Sequence, residues 1–268
     1  MVFVKTVSDG VETVLSGTGD TGGVVTAAVL VIGDEILSGR TKDKNIGYIA
    51  EYLTNIGIDL QEVRVVPDIE AEIIVAVNAL RHRYDHVFTT GGIGPTHDDI
   101  TANAIAKAFG ATIDVDQRAV DMLLERIPKP DLNEARLRMA RIPAGAALIA
   151  NSVSKAPGFT IGNVHVMAGV PAIMQAMLDA LAPTLPTGRK MISRSIEAGL
   201  KEGDIATPFG ALQARFPDVV MGSYPGFREG IGYTTTLVVR SRDEARLAEA
   251  VLAVEAMLAH LRAQISEA

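Results

Sequence analysis

Two adjacent carboxylates, Asp98 and Asp99, follow a turn that contains Gly91, Gly92 and Gly94. Three glycines within four positions let the backbone turn sharply and expose its N–H groups. A turn of this kind before a helix is suited to bind a phosphate or another anion. The carboxylates beside it would repel an anion unless a cation lay between them. The stretch therefore predicts a phosphate ester bridged by a divalent metal ion.

Two further acidic residues occupy comparable positions, Glu35 in a glycine-bounded loop at residues 33–39 and Asp68 directly after a predicted strand. We interpret Asp99, Asp98 and Asp68 as candidate catalytic residues, and Asp99, Asp98 and Glu35 as candidate metal ligands. Asp98 has an alternative role as the N-cap of a helix that starts near Asp99. Oxygen ligands favour Mg²⁺ or Mn²⁺, with Co²⁺ as a further alternative.

A second glycine turn, Gly169-Val170-Pro171, also stands between a predicted strand and a predicted helix. Proline is favoured at the start of a helix, and Pro171 suits the first turn of a helix predicted at 172–181. Gly169 and Pro171 are therefore a second candidate contact for an anion.

The elements that must position these residues alternate between strands and helices. Continuous apolar runs of strand length are typical of parallel strands that are buried on both faces. The predicted strands cover residues 26–32, 58–66, 85–90, 111–115 and 164–167, and the predicted helices cover 46–56, 69–80, 103–109, 116–126 and 172–181. Alternation of this kind indicates a mostly parallel sheet whose ligands bind beyond the carboxyl ends of its strands. We expect both glycine turns and the acidic residues to meet there.

The pattern changes after a proline-rich segment near residue 185. A strand, a helix, two strands and a helix follow, and Ser241 with Glu244 forms a capping box for the last helix. The sequence thus predicts a flexible tail at 1–25, an α/β domain at 26–185 and a small α+β domain at 186–268. The small domain has no catalytic constellation of its own.

Composition excludes several classes of function. The 268 residues carry a formal net charge of -7 and only 4% aromatic side chains, so nucleic acid is not an expected partner. No Cys is present, which excludes thiolate catalysis and Cys-ligated zinc and is compatible with a reducing cytoplasm. No apolar stretch reaches the length of a membrane span, and no membrane partner is expected.

The stretch from Thr89 to Thr101 resembles the signature of the molybdopterin-binding fold, which molybdenum-cofactor biosynthesis proteins share with the CinA family. The loop at 33–39 and Asn45 resemble that family's first loop. The Asp98-Asp99 pair resembles CinA and the N-terminal domain of eukaryotic FAD synthases more than the cofactor-inserting enzymes, which have Arg-Asp. The segments 156–159 and 169–171 are similar to the same two groups.

The resemblance implies a three-layer α/β/α sandwich that binds a phosphorylated pterin or nucleotide, commonly in a homo-oligomer. It also implies the ligand contacts Gly91, Gly92, Gly94, Thr96, Asn45, Gly158, Gly169 and Pro171. The CinA and FAD-synthase branches imply metal-dependent hydrolysis of the pyrophosphate in ADP-ribose or FAD. The alternatives are a non-hydrolytic molybdopterin-binding protein of cofactor biosynthesis, and a regulatory module with a vestigial site.

Overall fold

The computed structural model describes residues 23–228 and 232–267. Residues 1–22 of the predicted flexible tail lie outside the described residues, and Val25, also assigned to that tail, begins the first strand. The elements of the larger, N-terminal part are β1 (Val25–Ile32), α1 (Asp34–Leu37), α2 (Asn45–Ile56), β2 (Ile58–Val66), α3 (Glu70–Arg81), β3 (His86–Thr90), α4 (Thr101–Ala108), β4 (Ile113–Val115), α5 (Gln117–Leu124), α6 (Glu134–Leu137), β5 (Arg141–Pro143), β6 (Ala147–Ile149), β7 (Gly158–Ile161), β8 (Val164–Met167) and α7 (Pro171–Leu181). The C-terminal elements are β9 (Ile192–Glu197), α8 (Glu202–Arg215), β10 (Val220–Arg228), β11 (Gly232–Ser241) and α9 (Glu244–Glu267).

The chain divides into two compact units. The described residues up to 53, together with 59–188, form the first unit, and residues 54–58 with those from 189 onward form the second.

A six-stranded sheet in the order β2-β1-β3-β8-β7-β6 forms the centre of the first unit. Strands β1, β3 and β8 run parallel, whereas β6, β7 and β8 pair antiparallel at one edge. Leu30 and Ile32 pack with α3, α4 and α5 on one face, while Val29 and Val31 are buried on the other. Because successive residues of a strand point to opposite faces, helices cover both faces of β1. The expected α/β architecture with a mostly parallel central sheet is confirmed.

Three local predictions need correction. Residues 33–39 were expected to form a loop, but Asp34–Leu37 form one helical turn. The helix expected to start near Asp99 begins at Thr101. Asp243, and not Ser241, caps α9, because its carboxylate accepts the backbone N–H of Arg246 at 3.0 Å. Asp243 directly precedes the first helical residue, Glu244, and therefore occupies the N-cap position, whereas Ser241 lies two residues further from the helix.

Two buried histidines join β3 to β8. His86 Nε2 lies 3.2 Å from the carbonyl oxygen of Pro186, His86 Nδ1 lies 3.1 Å from His165 Nε2, and His165 Nδ1 lies 3.0 Å from the Thr160 hydroxyl. A carbonyl can only accept, so this chain of contacts is satisfied when both rings are neutral and each carries its proton on Nε2. Burial lowers the pKa of His86 and lowers that of His165 to about 3.

The second unit is a three-stranded antiparallel sheet in the order β10-β11-β9 with two helices. Its core combines Leu237 and Val239 of β11 with Leu212 of α8 and Val254 of α9. Within the described residues, no helix has both the length and the apolar content needed to cross a membrane.

Candidate ligand site

A cavity of about 540 Å³ opens at the carboxyl ends of β3 and β8. Its wall is mostly apolar, and the few polar groups stand around the two glycine turns. The lining residues that carry the argument below are Glu35, Gly91, Gly92, Gly94, Asp99, Met139, Ser154, Gly169, Val170 and Pro171. An apolar cavity with a few convergent polar groups is the usual form of a small-molecule site.

The turn after β3 is fixed by crowding at its glycines. Gly91 and Gly92 have φ of +105° and +66°. A Cβ on Gly91 would lie 2.1 Å from the Ile32 carbonyl oxygen, and one on Gly92 would lie 2.1 Å from Thr101 Oγ1. The Thr101 hydroxyl donates to the Gly91 carbonyl at 3.0 Å, so the start of α4 holds the turn in place. Glycine is therefore required at both positions.

The turn after β8 rests directly on the first one. A Cβ on Gly169 would lie 3.3 Å from the Cα of Gly91, and the Gly91 amide donates to the Met167 carbonyl at 3.2 Å. The buried Asn45 donates through Nδ2 to the Gly169 carbonyl at 2.8 Å. Its Oδ1 is buried and has no partner within the described part of the chain. Asn45 thus anchors the second turn and keeps one acceptor free.

Asp99 lines the cavity, where two hydrogen bonds hold its side chain. The Thr96 amide and the Thr96 hydroxyl both donate to Asp99 Oδ2, at 2.8 and 2.6 Å. The same oxygen packs so closely on Gly94 that a Cβ there would lie 2.6 Å from it. Thr96 itself does not line the cavity, so the structure gives it the role of orienting Asp99.

Asp98 points away from this arrangement, with 65% of its side chain exposed. Hydrogen bonding from the Thr96 side chain is the largest of the effects that lower the pKa of Asp98. The expected helix N-cap role of Asp98 is wrong, since Ile100 precedes the helix and no side chain caps it.

Asp68 belongs to an acidic group beside the cavity and does not line it. Its Oδ2 accepts the amide of Asp34 at 3.0 Å. Burial, and then the charges of Asp34, Glu35 and Asp98, raise the pKa of Asp68. Asp34, Glu35 and Asp98 are therefore close enough to Asp68 to act on it electrostatically.

The predicted metal ligands do not form a complete coordination shell by themselves. Across residues 23–228 and 232–267, no three acidic or histidine side chains are arranged to hold an ion. Glu35 and Asp99 nevertheless both line the cavity. Mg²⁺ is often bound by one or two carboxylates together with substrate phosphates and water. The donor set fits a metal that arrives with a phosphorylated ligand.

A smaller space of about 200 Å³ adjoins the cavity and shares Glu35, Gly91, Gly169 and Pro171 with it. Lys42, Lys44, Asn45 and Thr90 line it as well. The Thr90 hydroxyl is buried and has no partner in the described residues. This space can therefore accept a polar part of a ligand.

Gly158 does not reach the site, in contrast to the contact that the resemblance implied. It lies within β7, where a Cβ would stand 2.3 Å from the Val166 carbonyl oxygen. Close pairing of β7 with β8 requires glycine there, which explains the residue without a ligand.

Sequence reasoning missed the third wall of the cavity. Asn151 is buried, accepts the amides of Val153 and Ser154, and donates to the Ala156 carbonyl. These bonds shape the turn that brings Ser154 and Ala156 to the cavity. Asn side chains often accept the backbone amide two residues further on and so form turns, and Asn151 could have indicated this wall. The sequence contains no comparable signal for Met139 or for its neighbour Arg138.

Comparisons with known families agree with this fold. Residues 28–187 match the family model described as "Probable molybdopterin binding domain", and residues 190–265 match the one described as "FAD synthase, middle domain".

Individual relatives extend the match. A protein of Pyrobaculum calidifontis is 34% identical over 211 residues, which cover 75% of this chain and 80% of that protein. A CinA-like protein of Citrifermentans bemidjiense is 36% identical over 205 residues, or 74% of this chain but 48% of that protein. The crystal structure of the protein CinA from Thermoplasma acidophilum superposes with a TM-score of 0.56 at 36% identity, covering 59% of this chain and 96% of that one. The chain therefore belongs to the molybdopterin-binding domain family and has the CinA-type form of its fold.

Proposed function

We propose that the cavity binds a phosphorylated heterocycle, a pterin or a nucleotide, with its phosphate at the glycine turn after β3. The observation that carries this proposal is an apolar cavity of about 540 Å³ bordered by that turn. A flat ring system would bury its surface against the side chains of Met139, Val170 and Ile173. The backbone at Gly92 and Gly94 would meet the phosphate, whereas the Gly91 amide already donates to the Met167 carbonyl. Membership of the molybdopterin-binding family supports the same ligand class.

Calorimetric titration with molybdopterin, ADP-ribose and adenosine tests this proposal. We expect both phosphorylated compounds to bind more tightly than adenosine. Val170→Asp places a negative charge on the cavity wall and should weaken both by at least about tenfold. Val75→Asp is the matched control, because Val75 is similarly exposed (66% against 57%) but belongs to α3 and does not line the cavity. Equal affinities of the two variants would contradict the proposal.

Hydrolysis of a nucleotide pyrophosphate is a second candidate function. The observation that favours it is the pair of cavity carboxylates, Glu35 and Asp99, beside the acidic group that contains Asp68 and Asp98. A divalent metal, when bound with substrate, would lower the pKa of a water and offset charge on the phosphate oxygens. Asp99 and Glu35 would hold it, and Thr96 would fix the orientation of Asp99. The glycine turns would hold the phosphates in place.

Release of AMP from ADP-ribose or FAD in Mg²⁺, Mn²⁺ or Co²⁺ tests this second candidate. We expect turnover in the wild-type protein and a loss of at least about 100-fold in Asp99→Asn. Asp121→Asn serves as the control, since Asp121 is an exposed residue of α5 that lies outside the cavity lining. Folded wild-type protein that binds ADP-ribose but releases no AMP with any of the metals would exclude hydrolysis.

The same measurements distinguish the two remaining alternatives, a non-hydrolytic binding protein and a regulatory module. Tighter binding of molybdopterin than of ADP-ribose, without turnover, supports a non-hydrolytic molybdopterin-binding protein. A melting temperature that no ligand shifts supports a regulatory module with a vestigial site.

A further inference from the structure

The side chain of Arg138 lies beside the cavity, and one of its N–H groups has no hydrogen-bond acceptor in the described residues. It belongs to a single 3₁₀ turn, Arg138–Ala140, that follows α6. Its Nε is completely buried and bonds to nothing in the described residues. Its Nη2 lies 3.4 Å from the Asp99 carbonyl oxygen, a long contact for a hydrogen bond. No carboxylate of the described chain forms an ion pair with it.

Two other arginines of this unit have partners in the chain. Arg81, which is partly buried, donates to Asn78 and to the Ala108 carbonyl and covers the Phe109 ring. Arg118, whose side chain is exposed, binds Asp116 through two nitrogens and donates to the Ala146 carbonyl. A guanidinium is always charged, and burying one of its N–H groups without an acceptor is unfavourable. The exception at Arg138 therefore points to an acceptor that comes from outside the chain.

The location of Arg138 indicates where this acceptor would sit. Arg138 lines a space of about 20 Å³ together with Gly94, Asp99 and Met139. The last three residues also line the main cavity. A space of this size holds about one water molecule, so it admits a single oxygen of a phosphate but not the whole group.

We propose that Arg138 binds the phosphate of the ligand by donating from Nε to an oxygen that enters beside Gly94. This inference rests on the proposed function and adds a cation to it. The carboxylates of Asp99 and Asp98 would repel a phosphate at this turn, and Arg138 already lowers the pKa of Asp98 through its charge. The positive guanidinium of Arg138 reduces the repulsion between these carboxylates and the phosphate of the ligand. Phosphate binding then needs no metal, and the metal is required only for cleavage.

The test is titration of ADP-ribose and adenosine in the presence of EDTA. Arg138→Met keeps much of the side-chain volume and removes the charge. We expect it to weaken ADP-ribose binding by at least about tenfold and to leave adenosine binding unchanged. Arg138→Lys keeps the charge without the planar donors and should fall between wild type and Arg138→Met. Arg136→Met, an exposed arginine of α6, should bind both compounds as the wild type does.

A stability measurement separates ligand binding from a structural role. If Arg138 serves the ligand, Arg138→Met should melt at the same or a higher temperature than the wild type without ligand, because a buried N–H group without an acceptor is removed. A lower melting temperature combined with equal loss of ADP-ribose and adenosine binding would overturn the inference. Undiminished ADP-ribose binding by Arg138→Met would overturn it as well. Wild-type protein that binds neither ADP-ribose nor molybdopterin would instead refute the proposed function itself.

Discussion

The turn after β3 and the turn after β8 both lead from a buried parallel strand to a helix, but they differ in length and chemistry. Residues 91–100 separate β3 from α4, whereas only residues 168–170 separate β8 from α7. The longer turn has room for Asp98 and Asp99 and folds back on the start of α4. The shorter one presents Val170, with 57% of its surface exposed, to the cavity.

This difference assigns separate tasks to neighbouring turns of similar sequence. The long turn carries Asp99, and crowding at Gly91 and Gly92 requires glycine at both positions. The short turn provides an apolar wall at Val170 and rests on the first turn through Gly169. A glycine between a strand and a helix therefore does not by itself place an acidic side chain at the cavity, because only the longer segment has room for one.

The largest expected difference concerns the two glycines in contact. Gly91→Ala meets the Ile32 carbonyl at 2.1 Å with φ of +105°, so we expect the free energy of unfolding to fall by at least about 3 kcal/mol. Gly169→Ala meets only the Gly91 Cα at 3.3 Å and should lose about 1 kcal/mol. Urea unfolding at pH 7.5 measures both. Gly110→Ala, with φ of +63° and open space around it, controls for backbone strain alone.

Acid should weaken the attachment between the strands that carry the two turns. The folded state holds the pKa of His165 near 3, below the unfolded value of about 6.5, and lowers that of His86 as well, although Asp85 opposes this shift. The unfolded chain then binds more protons, so stability is complete above pH 6.5 and is lost as pH falls towards 3. His165 alone should contribute a slope of about 1.4 kcal/mol per pH unit.

Urea unfolding at pH 7, 6 and 5 checks this slope, with hydrogen exchange to follow each unit separately. The first unit should lose protection first, because the His pair belongs to it. Equal loss of hydrogen-exchange protection in the two units as the pH falls would contradict a role of the His pair.

The dependence of ADP-ribose binding on Mg²⁺ should differ between variants of the two turns, and this effect is smaller. We expect Mg²⁺ to tighten ADP-ribose binding by about fivefold, or about 1 kcal/mol, and Asp99→Asn to abolish this gain. Val170→Asp should weaken binding to the same extent with and without Mg²⁺. Calorimetry in EDTA and in Mg²⁺ provides the comparison. A metal dependence that survives in Asp99→Asn would remove Asp99 from the ligand set.

The smallest effect concerns the orientation of Asp99. Thr96→Val removes the hydroxyl that donates to Asp99 at 2.6 Å and should reduce ADP-ribose affinity in Mg²⁺ by about threefold. Thr96→Ser keeps the donor and should bind as the wild type does. Identical losses in Val and Ser variants would show that the methyl group matters and not the hydroxyl.

The sequence sufficed to predict the main strands and helices and the parallel centre of the sheet, and both glycine turns and Asp99 line one cavity as expected. These follow from apolar runs and from glycines, whose effects are local. The family resemblance was confirmed, whereas catalysis by Asp68, Asp98 and Asp99 and a resident metal stay predictions.

What could not be predicted depends on distant contacts. Arg138 looks like an ordinary surface residue in the sequence, and only the fold shows that its Nε is buried. The start of α4 was misplaced because Asp99 bonds back to Thr96 and not forward to the helix. Gly158 was assigned to the ligand although the pairing of two strands explains it.

The contact between Gly91 and Gly169 also constrains how this site can diverge. A side chain added at Gly169 would press on the backbone of Gly91. A shift of the Gly91 backbone would in turn change the space available at Gly169. Gly91 cannot be replaced without a clash with the Ile32 carbonyl, and a side chain at Gly169 has little space beside Gly91. Descendants of this chain that acquire a new specificity should therefore change first at Val170, Met139 or Ser154, where the cavity wall can vary while both turns are inherited together.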